Sequence, residues 1–196
     1  TYGKMTGMPV GLIQTSLGGS PMERWNPKDG DLYLNMLDKI HQTGGKYAGV
    51  LWYQGCSDTN PGPAEKYLEH FREYVEATRK ELGYEIPFFT MQLNRQINGI
   101  NDECWGMVRD AQARAAKEIP GVSVLTTSNL SLCDGIHNTA QANVALGEKL
   151  AKQCAHVLNG KEEYQPPELV KVERADEAER KSFQLEGSGI WLKLTC

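Results

Sequence analysis

No Cys-x-x-Cys pair occurs in this chain of 196 residues, although it holds five cysteines, Cys56, Cys104, Cys133, Cys154 and Cys196. The missing spacing excludes a zinc ribbon or a thioredoxin-type motif, and an odd, scattered set is no disulfide framework. Most of these cysteines read as buried thiols, which pack as small hydrophobes. Also missing is any apolar run near the ~18–20 residues that span a bilayer. The opening Thr1-Tyr2-Gly3-Lys4-Met5 holds no apolar signal core. No membrane partner is expected. Neither Gly-x-Gly-x-x-Gly nor Gly-x-x-x-x-Gly-Lys occurs, so nothing is built to cradle a nucleotide phosphate. Basic residues number 21 against 25 acidic ones, a net charge of −4, and they form no stripe. Nucleic acid therefore has no electrostatic footing here.

What is present is an ordinary globular composition, 40% hydrophobic and 23% charged, which excludes a disordered or fibrous class. Short apolar runs alternate with helical spacing. Val10-Gly11-Leu12-Ile13, Ala48-Gly49-Val50-Leu51-Trp52-Tyr53, Pro87-Phe88-Phe89-Thr90-Met91-Gln92-Leu93 and Val122-Ser123-Val124-Leu125-Thr126 read as four buried strands. Between them, Leu32, Met36, Leu37 and Ile40 share a helix face. Pro63 opens a second helix, striped by Ala64, Tyr67, Leu68, Phe71, Val75, Thr78 and Leu82 and stopped by Gly83. Val108, Ala111, Gln112 and Ala115 mark a third, and Ala140, Val144, Gly147, Ala151, Cys154 and Leu158 a fourth. Such alternation predicts an α/β fold, a parallel sheet between helix layers. Function in these sheets collects on loops at the carboxyl ends of the strands.

The composition changes after Gly160. Residues 161–196 read as a charged linker, with Pro166-Pro167, followed by the start of a β-rich appendage over Leu169–Val172 and Ile190–Leu194. Residues 1–160 form the α/β domain. Both ends look cut, so a piece of a longer protein is expected.

Three strand-end loops could carry chemistry. In the first, Gln14 to Trp25, Gly18-Gly19 can expose backbone N–H groups to an oxyanion. A tight turn would use the same glycines. In the second, Gln54-Gly55 places an amide side chain over the sheet edge, as an oxyanion donor or as a turn-holder. In the third, Asp134-Gly135-Ile136-His137 sets a carboxylate three residues before a histidine. Histidine can take a proton from a serine hydroxyl near neutral pH, and a carboxylate fixes its tautomer. A helix-capping Asp beside an exposed His would look the same.

The order of these loops resembles the SGNH hydrolases, specifically the sialate O-acetylesterase and carbohydrate acetylesterase family. The stretches that match are Pro9 to Ser20, Gly49 to Gly55 and Asp134 to Asn138, with weaker positions at Tyr33, Asn35, Arg109 and Gln112. The resemblance implies a three-layer α/β/α parallel sheet and an esterase that removes acetyl groups from sugars through an acyl-serine, without metal or other cofactor. It makes His137 the general base and Asp134 its orienting acid. Gly19 and Gln54 become the oxyanion hole, and Arg109 and Trp25 weaker substrate contacts. It also implies an exported setting, secreted or periplasmic.

Two departures matter. Relatives carry Glu where this chain has Cys56, and their Gly-Gln-Ser-Asn-type nucleophile motif occurs nowhere in residues 1–196. Ser16 and Ser20 lie in the wrong loop to replace it. By the resemblance, the missing serine strand sits between the runs at 10–13 and 48–53. The serine is expected on an upstream segment or another polypeptide, and this chain alone is expected to be inactive. The competing reading is an inactive sugar-binding relative that stacks rings on Trp25, Trp52, Tyr53 and Trp105, or a structural fragment. The enzyme reading requires an Asp134–His137 hydrogen bond of about 2.6–3.2 Å, and the binding reading an open aromatic platform away from His137.

Overall fold

A computed structural model describes residues 1–159, 171–182 and 192–195. The chain divides into two compact units, Thr1–Glu163 and Tyr164–Cys196.

The first unit is built on three parallel strands, β1 (Val50–Trp52), β2 (Phe88–Met91) and β3 (Val122–Leu125), in the spatial order β1-β2-β3. Val50 aligns with Phe88, and Phe88 with Val122. The helices are α1 (Tyr2–Thr6), α2 (Asp31–Thr43), α3 (Pro63–Leu82), α4 (Asp102–Glu118) and α5 (Ala140–Leu158). Helices α3 and α4 make the two crossovers, pack on each other and lie on one face of the sheet. Alternation along the strands then separates two cores. Trp52, Phe88 and Val122 point toward α2, α3 and α4, whereas Met91 and Leu125 point toward α5. The expected layering of helices on both sheet faces is what forms.

Helix α3 shows why the pattern works. Pro63 occupies its first turn, where a missing N–H costs nothing. Ala64, Tyr67, Phe71, Tyr74, Val75 and Thr78 then fall on one buried stripe. Each large side chain buried there contributes about 1.5–3 kcal/mol. Trp25, Trp52, Phe71, Tyr74 and Phe88 meet edge-on or tilted at centroid distances from 4.6 to 6.4 Å.

One expected strand does not form. Residues 10–13 are irregular, and Val10, Leu12 and Ile13 are exposed. A strand exists only by pairing, and this run has no ladder partner among the described residues. On its side away from β2, β1 likewise has no neighbour among them, and Leu51 stands half exposed.

In the second unit, β4 (Lys171–Arg174) pairs antiparallel with β5 (Leu192–Thr195). Between them in sequence lies α6 (Glu177–Ser182), so the stretch expected as linker up to Lys181 is partly helical. Pro166, Pro167, Leu169, Val170, Ile190 and Trp191 lie outside the described residues.

Candidate active site

The Asp134–His137 turn is held from both flanks. Leu132 and Asn138 form an antiparallel bridge. Cys133 N–H donates to the His137 carbonyl at 2.9 Å, and Thr139 N–H to the Ser131 carbonyl at 3.0 Å. Within this clip, Asp134 Oδ1 accepts the N–H groups of Ile136 (2.8 Å) and His137 (2.7 Å). Asp134 Oδ2 lies 2.8 Å from His137 Nδ1. The capping alternative fails, because Thr139 caps α5 by accepting the Ala142 N–H at 3.1 Å.

The electrostatics follow from those contacts. The two backbone donors, with the His137 ring after them, lower the Asp134 carboxyl to about 2. Asp134 is therefore ionised throughout the neutral range and can only accept. A hydrogen on Nδ1 is what such a carboxylate accepts, and Nε2 of the exposed ring has no hydrogen-bond partner among the described residues.

Hydrogen bonds tie the three loops into one chain. Asn138, next to His137, donates through Nδ2 to the Tyr53 hydroxyl at 3.1 Å. Tyr53 is followed by Gln54, whose Nε2 donates to the Ser20 carbonyl at 2.9 Å. Ser20 in turn follows Gly19, an exposed residue in the left-handed region at φ 71°. Asn138 is itself fixed from below, since its Oδ1 accepts from buried Asn94 at 2.7 Å.

The expectation of a free donor at Gln54 needs correcting. Its Nε2 also donates to Asp58 Oδ2 at 2.5 Å, so both amide hydrogens are committed. Its Oε1 is buried without a hydrogen-bond partner among the described residues. Gly55 explains the motif's glycine. It adopts φ 139°, and a Cβ there would meet Gln112 Nε2 at 2.9 Å and Val108 Cγ1 at 3.1 Å. Gln112 uses the space to bind the Gln54 carbonyl (2.9 Å) and the Leu93 N–H (2.7 Å).

Two weaker expectations also change. Trp25 is 4% exposed, stands edge-on to Trp52 and donates from Nε1 to Ser20 Oγ at 3.1 Å. It is core, not a sugar contact. Arg109 bridges loops instead, donating to the Leu93 carbonyl and, at 2.7 Å, to Ser128 Oγ. Trp52 and Trp105 are buried as well, so these tryptophans offer no open platform. Ser20 Oγ donates to the Leu17 carbonyl at 2.8 Å and is buried, unsuited to attack. Burial pushes the Cys56 thiol up, away from a reactive thiolate. Cys56, Cys104, Cys133 and Cys154 are free thiols, but against expectation only Cys154 is buried, Cys56 and Cys104 are half-buried and Cys133 is exposed.

The sequence reading missed Asp58. Both of its oxygens accept the Met22 N–H, at 3.0 and 3.1 Å, and Oδ2 takes the Gln54 amide. It stitches the first loop to the second. Its only sequence signal is an Asp four residues after Gln54, which reads as ordinary turn chemistry.

Comparison with known proteins now decides the family. Residues 1–156 match the family model "carbohydrate esterase, sialic acid-specific acetylesterase". The chain belongs to that family. It is similar to a probable carbohydrate esterase of Arabidopsis thaliana, 28% identical over 149 residues, which cover 73% of this chain and 54% of that protein. The crystal structure of an Arabidopsis thaliana protein superposes with a TM-score of 0.62 at 27% identity, covering 70% of this chain and 57% of that one. A carbohydrate acetylesterase from Xanthomonas citri superposes with a TM-score of 0.74 at 26% identity, covering 88% and 42%. This chain spans about half the length of these relatives.

Proposed function

We propose that this chain carries the acid–base half of a carbohydrate O-acetylesterase of the sialate O-acetylesterase type. The observation that carries the reading is the Asp134–His137 pair at 2.8 Å, with no partner on Nε2 among the described residues. Family membership and the hydrogen bonds Asn138–Tyr53 and Gln54–Ser20, which link the neighbours of His137 and Gly19, support it.

In this reading a serine Oγ attacks the acetyl carbonyl while His137 Nε2 takes its proton. Asp134 stabilises the imidazolium. The Gly19 N–H receives the tetrahedral oxyanion. Gln54 holds the Gly19–Ser20 backbone in place, and can join the oxyanion by exchanging one of its two hydrogen bonds. Collapse of the intermediate expels the sugar oxygen, which takes the proton back from His137. A water activated by His137 then releases acetate from the acyl-serine.

The serine comes from a segment outside these 196 residues, because no Gly-Gln-Ser-Asn-type motif occurs among them. The segment pairs with the open side of β1. The β1 edge and the run at 10–13, both unpaired among the described residues, and the exposed Leu51 support this placement, since orphaned strand groups are costly unless paired or solvated. The test uses a longer, serine-bearing form acting on an acetylated sugar. His137→Ala should lower kcat by about 10²–10⁴ with KM little changed. Undiminished turnover would remove His137 from the mechanism.

A further inference from the structure

Tyr53 is the one aromatic residue in the described part of the chain that is exposed; Tyr2, Tyr47 and Tyr84 are half-buried. Trp25, Trp52, Tyr67, Phe71, Tyr74, Phe88 and Trp105 are buried, and most of them spend their faces on one another. Tyr53 is 41% exposed and has no ring partner among the described residues. Yet it is not loose. Its hydroxyl accepts the Asn138 Nδ2 hydrogen at 3.1 Å, and Asn138 is locked by Asn94. The residue on one side of this bond is Gln54 and on the other is His137. The chain therefore holds one exposed ring by its polar tip beside the proposed general base.

From this we infer that Tyr53 is the sugar platform of the site, its ring stacking on the C–H face of an acetylated pyranose whose ester lies toward His137. The inference rests on the esterase reading above for the identity of the ligand. A rigid aromatic suits the task. It offers a flat apolar face to the sugar's axial hydrogens, and it loses little freedom on binding because its hydroxyl is already tied. Leucine at this position would keep apolar bulk but lose the flat face. Tryptophan would keep the face and lose the tether to Asn138, and phenylalanine likewise keeps the ring without the hydroxyl.

The test is an NMR titration, with fully O-acetylated methyl β-xylopyranoside, of the serine-bearing form carrying His137→Ala to halt turnover, which serves as the parent chain for the variants. The Tyr53 ring resonances should shift on binding. Tyr53→Leu should weaken the dissociation constant about tenfold, the size of one lost stacking contact with its area. Tyr53→Phe and Tyr53→Trp should stay within a few-fold of the parent. A Tyr53→Leu chain that binds as tightly as the parent overturns the inference, and so does a parent chain whose Tyr53 ring ignores the glycoside. If Tyr53→Leu fails to fold, the phenylalanine and tryptophan variants decide. Loss of binding in both, with the ring intact, would also overturn it. Either failure leaves the esterase reading untouched, because that reading stands on the His137 dependence of acetate release in the serine-bearing form.

Discussion

Removing the Asp58 carboxylate tests the link between the first and second loops. Asp58 is 3% exposed and accepts the Met22 N–H through both oxygens and the Gln54 amide through one. In Asp58→Ala the Met22 N–H has no acceptor and Gln54 keeps only Ser20. Each orphaned buried donor costs about 1–3 kcal/mol. An opposing term reduces the total. Burial raises the Asp58 carboxyl more than its hydrogen bonds from Gln54 and Met22 lower it, so carrying the ionised form is itself costly, and the variant sheds that cost. The expected net loss is about 2–3 kcal/mol at neutral pH. Urea unfolding followed by tryptophan fluorescence measures it, and Trp25 is a local reporter through Ser20. The sign with pH is also fixed. A carboxyl raised in the folded state binds its proton more tightly there than in the unfolded chain. Its ionisation therefore erodes stability as pH rises from the unfolded value through the folded one. The neutral Asp58→Asn lacks that slope, so the gap between parent and variant should be widest in acid and narrow as pH rises. A loss under about 0.5 kcal/mol, with the Met22 amide resonance unmoved, would refute the stitching role.

Two further outcomes follow from the geometry. Gly55→Ala combines a φ of 139° with a Cβ 2.9 Å from Gln112 Nε2, so strain and crowding together should cost about 2–5 kcal/mol; equilibrium unfolding checks this, and a neutral effect would contradict the close approach. Asp134 should titrate near 2 instead of its ordinary 3.8 when its carboxyl is followed by NMR. Being depressed, it supports the folded turn above the unfolded value and loses that support as pH falls from about 4 through about 2. Most of the depression should survive His137→Ala, because the backbone N–H groups of residues 137 and 136 are its leading causes. A return to the ordinary value in that variant would show the ring to dominate.

Helices α2 to α5 were legible because their stripes are periodic, whereas the short α1 and α6 carry no such stripe and were not expected. Pro63, Phe71 and Val75 announce α3 without reference to the rest of the chain. The runs around Val50, Phe88 and Val122 were legible as buried strands for the same local reason. The run at 10–13 has equal apolar content but no ladder partner among the described residues, and pairing is a tertiary fact that composition does not encode. The Asp134–His137 spacing alone suited a capping turn, and only its order after the Gly19 and Gln54 loops singled it out; the contacts of Asp134 with Ile136, His137 and the ring lie within three residues. Gln54, Trp25 and Arg109 were harder. Their types suit a ligand or a scaffold equally, and only their partners Asp58, Ser20 and Ser128 separate the two. Asp58 was hidden because a burial of 3% inside a polar loop has no periodic trace.

The most direct test of the account is acetate release from a fully O-acetylated xyloside by the 196-residue chain, alone and together with a serine-bearing segment. The account predicts background hydrolysis by the chain alone and turnover, dependent on His137, once the serine is supplied. Comparable turnover by the chain alone would place the nucleophile among its own residues and contradict the account, as would a serine-bearing form that releases no acetate.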